Sequence, residues 1–172
     1  MSYAVNLPMS DILALRLRAL IIPENRYKEG IDKMGACPGV KTNGKILVID
    51  DDYAIELLKL NLESYGFDVV TTIDGEEGLE KASSELPDTI ILDVRIPNLN
   101  GWQVCERLKK NPKTKHIPVI VFTAYSQKTD FEKSKKSEAD LFLNKPIDPD
   151  ELVQKIHETI NKYKKKSKEI SD

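Results

Sequence analysis

The sequence predicts a doubly wound α/β protein, in which helices cover both faces of a five-stranded parallel sheet. From Lys45 onward, short apolar runs rich in β-branched residues alternate with stretches of helical spacing, as in stacked βα units. The first, third and fourth runs are apolar at consecutive positions, which indicates strands covered on both faces, whereas the second alternates and is expected at an edge. The predicted strands are KILVI (45–49), FDVVTT (67–72), TIIL (89–92), PVIVF (118–122) and LFL (141–143).

Stretches with one apolar face follow the strands and are predicted to be helices. Gly66 is a stop signal for the first helix and Pro87 for the second. The last helix is expected over 150–163, and a fourth, around 127–136, is expected to be short or mobile because Phe131 is its only large apolar residue. The predicted apolar faces consist of Ile55, Leu58, Leu62 and Tyr65, then Leu79, Ala82 and Leu86, then Val104 and Leu108, and finally Leu152, Val153, Ile156 and Ile160.

The composition favours one domain in a reducing compartment, without a bulk charge that would attract nucleic acid. The chain has 172 residues, of which 40% are hydrophobic, and 26 Lys and Arg against 28 Asp and Glu give a formal charge of −2. The two cysteines, Cys37 and Cys105, have no metal-ligand spacing. The sequence has no apolar run long enough for a membrane span and no signal-peptide pattern. We therefore expect a cytoplasmic protein with neither a nucleic-acid nor a membrane partner.

Polar side chains follow every predicted strand, and the carboxyl ends of parallel strands meet at one edge of a sheet. These residues are Asp50 and Asp51, then Asp74, Asp93, Thr123 and Lys145. If the first and third strands are neighbours, Asp50, Asp51 and Asp93 converge into an acidic pocket suited to Mg²⁺, which prefers oxygen ligands. Lys145 and Thr123 could then hold phosphoryl oxygens. An aspartate between a metal and a lysine suggests a carboxylate that attacks phosphorus and carries an acyl phosphate.

Four motifs give the chain a family resemblance. They are ILVIDDD (46–52), ILDVRIPNLNG (91–101), VIVFTAY (119–125) and ADLFLNKPID (139–148). Across residues 44–163 the chain resembles the response-regulator receiver domain of two-component signalling. The resemblance implies a flavodoxin-like fold with strand order 2-1-3-4-5.

The resemblance also implies a role for each site residue. Asp93 would be the phosphoacceptor, with Mg²⁺ bound directly by Asp51 and Asp93 and by the backbone carbonyl of Arg95, while Asp50 would act near the metal through water. Thr123 would hold a phosphoryl oxygen.

Lys145 would hold another phosphoryl oxygen, and the Lys145–Pro146 bond is expected to be cis, which an X-Pro bond permits cheaply. Phe142 stands where many relatives carry a switching tyrosine, so with Thr123 it would form the switch, although it has no hydroxyl.

The resulting hypothesis is a stand-alone signalling switch that accepts a phosphoryl group onto Asp93. The donor would be a histidine kinase or a histidine phosphotransfer protein. The chain's own histidines, His116 and His157, have no metal-ligand partner in the sequence and no expected function, so the phosphodonor histidine should come from another protein. The chain would be no enzyme beyond self-catalysed phosphotransfer and dephosphorylation. Output would be protein–protein contact, through the face of the fourth helix, fifth strand and fifth helix around Phe142 or through the N-terminal segment. The chain could also form a homodimer.

The termini lie outside the resemblance. The segment SDILALRLRALIIP (10–23) predicts a helix over 11–22, although LALRLRAL also alternates and fits a strand. We expect a linker over 24–43 and a basic, solvated tail over 164–172, and translation from Met34 would leave the receiver domain, 44–163, intact.

Two other functions remain open, and one aspartate has a purely structural explanation. A phosphatase of the haloacid-dehalogenase type should place a second acid two residues after its nucleophile, where this chain has Arg95. A scaffold or adaptor with a vestigial pocket would act through the N-terminal segment. Asp52, just before a predicted helix, is expected to be its N-cap.

Overall fold

The computed structural model describes residues 42–124 and 138–169. The predicted N-terminal helix, the predicted fourth helix, the last residue of the motif VIVFTAY, Met34 and all but the last residues of the predicted linker lie outside them. Within the described residues, five parallel strands form one sheet, and numbered along the chain they lie in the order 2-1-3-4-5. The predicted fold class and strand order are therefore confirmed.

Strands and helices alternate from β1 to β4 in the described part of the chain, as predicted. Numbered in chain order, they are β1 (Lys45–Ile49), α1 (Ile55–Ser64), β2 (Asp68–Thr72), α2 (Gly75–Glu85), β3 (Thr89–Leu92), α3 (Gly101–Lys110), β4 (Val119–Thr123), β5 (Leu141–Asn144) and α4 (Pro149–Glu169). All five strands lie within one residue of their predicted bounds at either end, a difference that carries no structural weight. Helix α4 continues past Tyr163 through residues predicted as tail.

The apolar strands separate two halves of the core. Ile46 and Val48 of β1 lie in the half covered by α1 and α4, whereas Leu47 and Ile49 lie in the half covered by α2 and α3. Side chains alternate between the faces of a strand, so a strand covered on both faces must be apolar at every position. The alternating strand β2 lies at the edge of the sheet, as predicted.

The predicted helix faces are confirmed except at one residue. Leu86 is 54% exposed rather than buried. Helix α2 ends at Glu85, and Leu86 follows it with a left-handed φ of 46°, so its side chain leaves the apolar stripe.

Side chains of Asp and Asn fix the starts of two helices. Asp74 caps α2 by accepting the N–H groups of Glu76 and Glu77, and Asn100 caps α3 in a capping box. The prediction that Asp52 is the N-cap of α1 is wrong, because Ala54 occupies that position. Asp52 instead stabilises the turn that precedes α1, since its Oδ1 accepts the Ala54 N–H at 3.0 Å. None of the helices in the described ranges is long and apolar enough to cross a bilayer.

Candidate functional site

Three carboxylates converge at the carboxyl edge of the sheet. Ile49 of β1 pairs with Leu92 of β3, so the residues that follow these strands are neighbours. Asp50, Asp51 and Asp93 each offer a carboxylate oxygen, and these oxygens lie within 4.8 Å of one another. Asp50 and Asp93 are only 2% and 7% exposed, whereas Asp51 faces solvent. The predicted acidic pocket is therefore assembled by the pairing of β1 with β3.

Lys145 is the cation at this cluster. Its Nζ lies 2.5 Å from Asp50 Oδ2 and 2.9 Å from Asp93 Oδ2. A third carboxylate, that of Asp52, lies at 4.0 Å from the same nitrogen. The Lys145 side chain is 16% exposed, so these ion pairs are poorly screened by water.

Both oxygens of each buried carboxylate of the site accept a hydrogen bond. Asp50 Oδ1 accepts the N–H of Asp52 at 3.0 Å, and Asp93 Oδ1 accepts the N–H of Arg95 at 3.1 Å. The second oxygen of each carboxylate accepts from Lys145. The local turn after each strand therefore orients one oxygen, and the distant lysine orients the other.

Burial and pairing shift the pKa values of two of these groups. Burial raises the pKa of Asp50, although the hydrogen bond from Lys145 opposes this. Burial alone would lower the pKa of Lys145, but its hydrogen bonds to Asp50 and Asp93 outweigh burial and raise it. Lys145 is therefore fully charged near neutral pH.

The fourth strand carries Thr123 to the same edge. Thr123 is the last residue of β4 and is fully buried, and its carbonyl accepts the N–H of Lys145 at 2.9 Å. The Lys145–Pro146 peptide bond is cis, as predicted. The backbone that carries the lysine is thus tied to the end of β4.

Phe142 makes an aromatic contact that the sequence did not reveal. Its ring is stacked on that of Trp102, with centroids 6.4 Å apart and an interplanar angle of 6°. Trp102 lies in the first turn of α3, which follows the loop after Asp93. The switch position predicted in β5 is thereby in contact with the segment that follows the acidic cluster.

Two further contacts of the loop after Asp93 were also missed. Gly101 lies so close to the Asp93 backbone that a Cβ on it would clash. Asn98 donates a hydrogen bond to Asp74, the cap of α2. A glycine directly after an Asn cap, at the first position of a helix, was the available signal for close packing.

The histidines lie away from this cluster. His116 is exposed, and His157 is half-buried with its ring centroid 5.1 Å from that of Phe67. His157 therefore packs on an aromatic side chain, whereas His116 is open to solvent.

Comparison with known proteins assigns the family. The family model described as the response regulator receiver domain matches residues 46–157, well over half of the chain. The chain belongs to this family. The resemblance inferred from the four motifs is thereby confirmed, and the N-terminal residues lie outside the matched range.

Curated relatives of this receiver domain include transcriptional regulators. RpaA of Synechocystis sp., a DNA-binding dual master transcriptional regulator, is 41% identical over 113 residues, which cover 65% of this chain and 47% of RpaA. The response regulator PleD of Caulobacter vibrioides is 42% identical over 107 residues, which cover 62% of this chain and 24% of PleD. The chain thus spans about half the length of the first relative and a quarter of the second.

Solved receiver structures share the fold. A CheY-like response regulator receiver domain protein from Methanospirillum hungatei has a TM-score of 0.67 and 29% identity, and the match covers 71% of this chain and 97% of that one. The receiver domain of the sensor histidine kinase PA1611 from Pseudomonas aeruginosa has a TM-score of 0.65 at 24% identity, with 69% and 98% covered. The latter structure holds a magnesium ion in its active-site cleft.

Proposed function

We propose that this receiver domain is a phosphorylation-activated switch whose phosphoacceptor is Asp93. The donor would be a phosphohistidine on a histidine kinase or a phosphotransfer protein. The observation that carries the proposal is the position of the Asp93 carboxylate, with one oxygen on a backbone N–H and the other 2.9 Å from the Lys145 ammonium. A carboxylate held in this way is oriented for attack on phosphorus.

The proposed transfer exchanges one bond to phosphorus for another. A carboxylate oxygen of Asp93 attacks the phosphorus atom, the P–N bond of the phosphohistidine breaks, and the electron pair remains on the imidazole nitrogen. The product is an acyl phosphate on Asp93. Lys145 stays protonated throughout and offsets the added negative charge, and the hydroxyl of Thr123 donates to a phosphoryl oxygen.

The acidic cluster fits a magnesium ion. Its side-chain donors are all carboxylate oxygens within 4.8 Å of one another, the ligand type that Mg²⁺ prefers. Asp51, Asp93 and the backbone carbonyl of Arg95 would hold the ion directly, with Asp50 acting through water. When bound, the ion supplies charge neutralisation for the phosphoryl oxygens.

Phosphorylation would bias a two-state equilibrium of the switch residues. A dianion on Asp93 draws Thr123 and Lys145 toward it, and Phe142 then leaves Trp102 and turns toward the space behind Thr123. Output would be contact with a protein target through the face around Phe142, in a homodimer or with another chain, or through the N-terminal segment.

Other properties of the protein are part of the same proposal. We expect a cytoplasmic protein that is no enzyme beyond its own phosphorylation and dephosphorylation. We also expect no contact between this domain and nucleic acid, although RpaA is a DNA-binding regulator. RpaA is about twice as long as the matched segment, so its DNA-binding activity does not extend to this domain by similarity alone.

Incubation with acetyl phosphate and magnesium, followed by intact-mass measurement, tests the proposal. The protein should gain the mass of one phosphoryl group, and Asp93→Asn should not. Asp68→Asn is a matched control, because Asp68 is an exposed carboxylate at the start of β2, and this variant should be phosphorylated normally. A folded protein that gains no mass would favour the scaffold function, whereas steady release of phosphate from unrelated phosphate esters would favour the phosphatase.

A further inference from the structure

A cavity of about 320 Å³ lies between α1 and the start of α4, next to the acidic site. Its walls are mainly apolar, with Leu57, Leu58 and Leu62 from α1 and Phe122, Ile147 and Leu152 opposite them. Asp50 and Lys145 of the acidic site line one part of this space, but its apolar residues hold no group that acts in the proposed transfer. Its volume is within the range of small-molecule sites, which runs from about 300 to 1,000 Å³ and is typically apolar with a few polar groups.

The two ends of the cavity differ in chemistry. One end is lined by Asp50, Asp52 and Lys145. The other end is lined by Asn61 and Tyr65, and the Tyr65 hydroxyl is already engaged, because it donates to Asp150 of α4 at 2.6 Å. The positions on α1 extend over about three turns, so the cavity is elongated along the helix.

The charge at the acidic end is not balanced. Lys145 is the cation that lines the cavity there, and both Asp50 and Asp93 hold it at hydrogen-bond distance. Asp52 lies further from it, at 4.0 Å, with its side chain 50% exposed. Asp52 is therefore the carboxylate at this end whose charge is least neutralised, and it attracts a cation rather than an anion.

We infer that this cavity binds an elongated organic cation, with an ammonium head at Asp52 and an apolar body along α1. The body replaces water against the leucines and Phe122, which supplies most of the affinity, and the head supplies the preference for positive charge. A carboxylate of the same length would meet Asp52 with like charge. The inference needs only the cavity and its carboxylates, so it stands independently of the proposed phosphorylation.

Isothermal titration with decylammonium tests the site, with decanoate as the probe of equal chain length and opposite charge. Magnesium is present in every sample, so that the ammonium group does not simply take the place of the metal. We expect saturable binding of one decylammonium per chain and weaker binding of decanoate by about fivefold or more. Absence of saturable binding, or equal affinity for the two probes, would overturn the inference.

Three variants and one control variant locate the bound probe. Leu57→Trp narrows the cavity at a residue that is 44% exposed, so folding should tolerate it, and binding should weaken by about tenfold. Asn61→Phe fills the other end and gives the same test if the first variant folds poorly. Asp52→Asn should remove most of the preference for decylammonium, whereas Leu86→Trp, at an exposed leucine outside the cavity, should bind as the parent does. Unchanged binding in both cavity-filling variants would place the probe elsewhere and refute the assignment.

Discussion

Gly101 packs directly against the backbone of Asp93. A Cβ added at Gly101 would lie 2.1 Å from the Asp93 carbonyl oxygen and 2.8 Å from the Val94 Cα. The N–H of Gly101 also donates to the Val94 carbonyl at 2.9 Å. The end of the loop that follows the proposed phosphoacceptor therefore packs against the start of the same loop. This close approach requires a residue without a Cβ.

Gly101→Ala should weaken both stability and phosphorylation. The clash is with backbone atoms, which cannot rotate away as a side chain can, so the loop must shift at a cost of about 2 kcal/mol. The shift moves the Asp93 backbone, and we expect the initial rate of phosphorylation by acetyl phosphate to fall about tenfold or more. Urea unfolding and a time course of intact mass measure the two effects.

Gly66→Ala is the matched control for that substitution. Gly66 has a φ of 85°, and its nearest neighbour to an added Cβ is Asn43 at 3.4 Å, so the cost is backbone strain of about 1 kcal/mol. The rate of phosphorylation should be unchanged, because Gly66 lies just before β2, at the amino ends of the strands, whereas Asp93 follows β3 at their carboxyl ends. Equal rates in Gly101→Ala and the parent would contradict the positioning role.

Lys145→Ala should destabilise the protein more without magnesium than with it. Removing the lysine leaves Asp50 and Asp93 buried with no cation, at a cost of about 3 kcal/mol. A bound divalent cation would restore positive charge beside these carboxylates and recover part of the loss. Urea unfolding with magnesium and with a chelator measures the difference.

Lys164→Ala serves as the control for Lys145→Ala. Lys164 pairs with Asp88 at 3.1 Å, but its side chain is 59% exposed, so its loss should cost under about 0.5 kcal/mol. Magnesium should not alter that cost. The same magnesium dependence in both variants would show that the ion acts elsewhere than at Lys145.

Phe142→Leu should change the fluorescence of Trp102, the single tryptophan of the chain. The stacked rings contribute about 1 kcal/mol beyond the area that they bury. Without the stack, Trp102 meets more water, so its emission should shift to longer wavelength and stability should fall by about that amount. Ile73→Leu, at an exposed residue after β2, should leave the emission maximum unchanged; an unchanged maximum in Phe142→Leu would contradict the stacked arrangement.

A second buried ion pair joins α3 to the residue before β5, and Tyr163 of α4 contacts it. Lys109 Nζ lies 2.5 Å from Asp140 Oδ2, and the two side chains are 7% and 17% exposed. The Tyr163 hydroxyl donates to Asp140, and Lys109 lies 5.5 Å from the centroid of the Tyr163 ring. Tyr163 lies beyond the range matched by the family model, which ends at residue 157.

Tyr163→Phe should cost about 1 kcal/mol at neutral pH, because it leaves one Asp140 oxygen without its donor. Burial and the hydrogen bond to Asp140 raise the pKa of Tyr163 above the ordinary value of 10.0. The folded state therefore holds this proton more tightly than the unfolded chain, so the contribution of Tyr163 is complete below pH 10.0 and declines as the pH rises above it.

The measurement that checks the Tyr163 prediction is urea unfolding of the parent and Tyr163→Phe at neutral pH and above pH 10.0. The stability difference between them should narrow at the higher pH. Comparison of the two proteins removes the effect of the other titrating groups, which they share. A difference that is constant across this range would contradict a raised pKa.

The sequence by itself determined the fold class, the strand positions and the identity of the residues in the acidic cluster. The reason is that these features have local signatures: apolar runs at consecutive positions such as Ile46 to Ile49, and polar residues directly after them such as Asp50. Once the strands are parallel, the side chains that follow them must lie at one edge.

Only the tertiary structure decided which partners these residues have. Lys145 meets Asp50 from 95 positions away in the sequence, and it is shared with Asp93 because three different strand ends meet there. Three other features likewise depend on interatomic distances and backbone dihedral angles in the folded chain: the clash at Gly101, the stack of Trp102 on Phe142 and the exposure of Leu86. Residue types and spacing restrict such contacts but do not specify them, because packing is determined by the whole set of neighbours that folding brings together.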